Sequence, residues 1–75
     1  MTREEAIKIL AILKAAYPNF YKNMTKEEAK GTINVWASQF VSFPYSAVLI
    51  AVQKLISTKT FPPTVSEVKE RIRSL

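Results

Sequence analysis

The sequence predicts an all-α fold, a small single-domain bundle of about four helices spanning residues 1–75. Two observations carry this reading. The pattern Thr-x-x-Glu occurs three times, each time just ahead of apolar residues spaced three and four apart, and the prolines fall between the periodic stretches rather than inside them. Repeats, glycine-rich linkers and low-complexity tracts are absent, and the connections are as short as helical bundles use.

The first predicted helix begins at Thr2-Arg3-Glu4-Glu5. In such a capping box the threonine oxygen accepts from the third helical amide, and the glutamate reaches back to the threonine's own amide. Ala6, Ile9, Leu10, Leu13, Ala16 and Tyr17 form its apolar stripe, with Glu4 and Lys8 opposite. Pro18 ends it at Tyr17, and residues 19–23 are expected to be a connecting turn.

The second predicted helix starts at Thr25-Lys26-Glu27-Glu28 and aligns Ala29, Ile33, Trp36 and Phe40. Gly31 weakens it by about 1 kcal/mol relative to alanine, which points to a close approach by another helix. The third starts near Pro44 and buries Tyr45, Val48, Leu49, Val52, Leu55 and Ile56, with Lys54 outward. Phe61-Pro62-Pro63 is extended, and Thr64-Val65-Ser66-Glu67 opens a last helix carrying Val65, Val68, Ile72 and Leu75.

Composition narrows the chemistry. A chain of 75 residues holds one domain, which buries roughly 60% of the surface its unfolded chain exposes. Histidine, cysteine and aspartate are absent, so zinc and calcium sites lack their ligands and general acid-base work lacks its usual residue. The carboxylates are Glu4, Glu5, Glu27, Glu28, Glu67 and Glu70, and five of these sit in helix first turns, where they complement the helix dipole. Glu70 has Arg73 three residues on, and Glu4 and Glu67 precede Lys8 and Arg71 by four, so surface pairing accounts for these three as well. The lone glycine rules out a glycine-rich phosphate loop. These features exclude an enzyme and imply no metal, no cofactor and no small-molecule substrate. Without cysteine or a signal pattern the expected setting is intracellular, and no apolar run approaches the ~20 residues that span a bilayer.

What remains is binding. Net charge is +5, with 11 Lys and Arg against 6 Glu, which favours nucleic acid, an acidic protein surface or an anionic membrane over a cationic partner, and charge alone does not choose among them. Lys22, Lys26 and Lys30 follow a four-residue rhythm, and Lys69, Arg71 and Arg73 crowd the last helix; both groups could neutralise phosphates. Equally, Lys26 and Lys30 could solvate a helix face, while the C-terminal cations complement a helix dipole. No helix has the Arg/Asn/Gln-rich face of a base reader, so any DNA contact is expected to be weak and nonspecific.

Trp36 and Phe40 lie in register with Ile33 and are expected in the core, while Phe20, Phe43 and Phe61 plug the helix junctions. Val35 and Ile50 miss their helices' apolar stripes and are candidate partner contacts, although isolated exposed aliphatics are common.

Ala16-Tyr17-Pro18-Asn19-Phe20-Tyr21-Lys22, the Thr25 capping box, Trp36, and Phe61-Pro62-Pro63-Thr64 opening a basic last helix together form a pattern. It resembles the N-terminal domain of bacteriophage replicative-helicase loader and inhibitor proteins, from Glu4 to Arg73. The resemblance implies a non-enzymatic adapter in phage DNA replication, working in the cytoplasm of a bacterial host with replicative helicase and an origin-binding initiator as partners. In that family a flexible C-terminal arm follows the folded domain and contacts the helicase. The resemblance thus implies that this chain is the N-terminal part of a longer protein. It supplies no catalytic or ligand-binding residue.

Overall fold

The computed structural model describes residues 1–74 and contains five helices: α1 (Arg3–Ala16), α2 (Pro18–Tyr21), α3 (Lys26–Gln39), α4 (Tyr45–Ile56) and α5 (Val65–Arg73). Among the described residues there is no strand. The all-α bundle is therefore as expected, with α2 as an additional single turn.

All three capping boxes form in both directions. The Glu5, Glu28 and Glu67 amides donate to Thr2, Thr25 and Thr64 Oγ1 at 3.2, 3.1 and 3.1 Å, and the threonine amides donate to the glutamate carboxylates at 2.8, 2.9 and 2.9 Å. Each pair satisfies two donors that a helix start otherwise leaves open. α4 starts without a side-chain cap, at Pro44.

Pro18 acts at both sides of a junction. It stops α1, for which Tyr17 is the C-cap, and occupies the first position of α2, where no intrahelical donor is required. The connecting turn expected over residues 19–23 is thus partly helical, because the constraint that breaks one helix pre-sets φ for the next.

α1 is the hub. It packs against α2, α3 and α4, and α5 lies on α4. The core comprises Ala6, Ile9, Leu13, Tyr17, Trp36, Phe40, Val48, Ala51, Val52 and Val68. Phe40 is fully buried against Trp36 and Phe43, with ring centroids 5.5 and 5.2 Å away. Ala51 joins this core although the expected stripe of its helix left it out, because a small side chain fits where α4 is closely packed. Ala16 and Gly31 depart from expectation the other way. Ala16 is exposed at the last turn of α1, and a Cβ built on Gly31 meets nothing within 4 Å, so no helix approaches there. Leu75, expected on the last stripe, lies outside the described residues.

Polar tethers join the helices. Arg3 Nε donates to Asn34 Oδ1 at 3.3 Å between α1 and α3, and the Met1 amino group donates to the Phe40 carbonyl at 3.0 Å. The Tyr17 phenol donates to the Lys59 carbonyl at 3.0 Å, fixing the end of α1 to the α4–α5 connection.

Candidate functional site

The six glutamates are distributed over the surface, and among the described residues no cluster of Glu, Asp, His or Cys could hold a metal. Glu28 and Glu67 both titrate below their ordinary range. Thr25 backbone and side-chain hydrogen bonds hold the Glu28 carboxyl below its ordinary range. The Glu67 carboxyl is held down first by the Lys59 ammonium, 2.7 Å away, and then by the Thr64 amide. Each is thus stabilised as an anion. That is the opposite of what a general acid at neutral pH requires.

The surface pairing expected from sequence spacing does not form. The two ion pairs among the described residues are Lys30 with Glu27 at 3.8 Å and Lys59 with Glu67 at 2.7 Å. Glu67 takes Lys59 rather than Arg71 because the chain folds back between α4 and α5. Spacing along one helix cannot reveal such a partner.

The two basic groups have different surroundings. Lys22, the C-cap of α2, and Lys26, in the first turn of α3, are exposed and free of ion pairs among the described residues, whereas Lys30 is paired with Glu27. On α5, Lys69 bends back over α3. Its Nζ donates to Gln39 Oε1 at 2.8 Å and lies 5.8 and 5.9 Å from the Phe40 and Phe43 ring centroids. Arg71 donates to Ser74 Oγ at 3.4 Å, and Arg73 is exposed. Lys69 is thus drawn into a structural contact, which leaves Arg71 and Arg73 as the cations of that group facing outward.

Val35 and Ile50 are half-exposed, at 52% and 49%. Phe20 and Phe61, expected to plug helix junctions, correct that expectation: they are 54% and 62% exposed and lean on each other edge to face, centroids 5.4 Å apart. Each lies at a junction as expected, but on its outer side. Tyr21, next to Phe20, turns inward, and burial together with the neighbouring Tyr17 phenol pushes its own phenol above its ordinary range. The exposed aromatic pair is the site feature that sequence reasoning missed. The signal available was that both rings fall outside any helical stripe and close to proline, Phe20 two residues after Pro18 and Phe61 directly before Pro62.

An open cleft of about 390 Å³ lies between α4 and α5, lined by Leu55, Ser66, Glu67, Glu70, Arg71 and Ser74. It pairs no base with a nucleophile: Glu67 is already bonded to Thr64 and Lys59. The cleft offers binding surface. Among the described residues no helix is long and apolar enough to cross a membrane.

No curated protein and no solved structure matches the chain. A family model does match, over residues 1–69, which takes in α1 to α4 and the first half of α5. The chain belongs to the G39P_N family, the N-terminal domain of a phage helicase loader/inhibitor.

Proposed function

We propose that this chain is the folded, non-catalytic adapter domain of a phage replication protein, which holds the hexameric replicative helicase inactive and delivers it to an origin-bound initiator. The observation that carries the reading is the family match over residues 1–69. The fold is compatible with it. Its capping glutamates stabilise helix starts, its core is rigidly packed, and its chemistry is confined to exposed aliphatic, aromatic and cationic side chains. An adapter needs a stable body and a mobile arm, and in this reading residues 1–75 are the body, with the arm following in a longer protein.

The candidate contacts are Lys22, Lys26, Lys30, Val35, Ile50, Lys69, Arg71 and Arg73. Of these, Lys22, Lys26, Arg71 and Arg73 are the cations best placed to meet an acidic partner, because Lys30 and Lys69 already have partners within the domain. The same four support a second, weaker activity, nonspecific DNA binding that falls steeply with added salt.

The full-length protein is expected to co-purify with the replicative helicase or the initiator, and the isolated domain to be monomeric and inert as an ATPase. Failure to co-purify with either protein removes the reading. For DNA, changing Lys22 and Lys26 to glutamine should weaken binding and flatten its salt dependence; binding indifferent to salt rules that activity out.

A further inference from the structure

Phe20 and Phe61 come from α2 and from the α4–α5 connection, yet their rings meet at 76° with centroids 5.4 Å apart. The contact is braced from beneath. The Tyr17 ring lies 6.5 Å from Phe20, and its hydroxyl holds the Lys59 carbonyl, two residues before Phe61. Two more than half-exposed aromatic rings are therefore held in a fixed geometry, so a partner binding them loses little side-chain entropy.

The charges nearest the pair in sequence, Lys22 and Lys59, are both positive. Lys22 follows Phe20 by two residues and has no ion pair among the described residues. The carboxylates nearest in sequence are Glu27, paired with Lys30, and Glu67, engaged by Thr64 and Lys59; Glu28 is engaged by Thr25. An apolar aromatic centre with a cationic rim matches the composition of protein interfaces. It complements an acidic partner on a chain whose net charge is +5. Single-stranded nucleic acid fits less well. Successive bases need ring faces presented side by side, and here the edge of one ring closes the face of the other.

We propose that Phe20, Phe61 and Lys22 form a docking surface for an acidic segment of a partner protein, which lays an apolar side chain against the two rings. The proposal rests on the adapter reading and names the face that reading uses.

The test is amide chemical-shift mapping of the 75-residue domain with two probes, a synthetic glutamate-rich peptide carrying a single leucine-tryptophan anchor and a thymidine oligonucleotide. The peptide is expected to shift residues 20–22 and 59–61. A variant combining Phe20→Ala and Phe61→Ala, with its helical circular dichroism intact, should bind roughly tenfold or more weakly. Lys22→Glu, which leaves both rings in place, should also weaken binding and reduce its salt dependence. Peptide shifts that are absent, centred elsewhere or retained in the double alanine variant overturn the proposal. So does tighter binding of the oligonucleotide at the same amides, which would assign the surface to nucleic acid. Co-purification of the full-length protein with helicase or initiator is scored separately. Its failure removes the adapter reading and leaves the peptide result standing, whereas a peptide failure with co-purification intact removes this surface alone.

Discussion

The phenol of Tyr17 donates a 3.0 Å hydrogen bond to the backbone carbonyl of Lys59, so the last residue before α2 is fastened to the segment that leads into α5. The ring is buried in the core while its hydroxyl reaches the connection, and one side chain thereby serves both packing and tethering.

Tyr17→Phe keeps the packing and removes the tether. A single hydrogen bond of this kind contributes about 1 kcal/mol, so urea denaturation should show a loss of that size. Hydrogen exchange should quicken locally over residues 59–61. An unchanged midpoint and unchanged exchange would show that the bond does not form in solution.

Trp36→Ala and Phe40→Ala each open a cavity at the centre of the bundle and should cost about 3 to 5 kcal/mol. A domain of this size has roughly 4 to 11 kcal/mol in all, so either variant should lose a large share of its stability and melt at a clearly lower temperature by circular dichroism. Near-wild-type stability for both would contradict the core described here.

Gly31→Ala should stabilise the domain by about 1 kcal/mol. The position is mid-helix with negative φ, and an added Cβ meets nothing within 4 Å, so alanine gains helix propensity without a clash. The expected readout is a higher melting temperature, and a decrease would point to a constraint not visible in the packing.

Stability should fall on acidification for an identifiable reason. Glu28 and Glu67 titrate below their ordinary value of 4.5 in the folded chain, so their contribution is complete above that pH and is lost as pH falls through the depressed folded values. Lys59→Gln removes the larger cause at Glu67 and should raise that carboxyl's titration toward 4.5, read by carbon-detected NMR. No movement of Glu67 would mean that the Thr64 cap alone holds it down.

Much of the architecture was legible because it is local. A threonine three residues before a glutamate completes its own cap, and apolar residues at helical spacing produce a buried stripe wherever another helix can cover it, as Ile9, Leu13, Trp36 and Val48 show. What was not legible depends on chain segments distant in sequence. Lys69 has the profile of a C-terminal helix cation, and only its hydrogen bond to Gln39, at the end of α3, turns it onto Phe40 and Phe43. Phe20 and Phe61 read as core because aromatics at junctions usually are. Their exposure follows from Tyr17 and Tyr21 taking the interior places first. Gly31 read as a close-packing point, but its surroundings are open.

The central position of α1 bears on how the chain assembles during synthesis. Of the five helices, the earliest to leave the ribosome is the one that α2, α3 and α4 must cover, so its apolar stripe stays wet until α4 has emerged. α5, resting on α4, closes the structure last and should be the first to come away when the chain is pulled from that end.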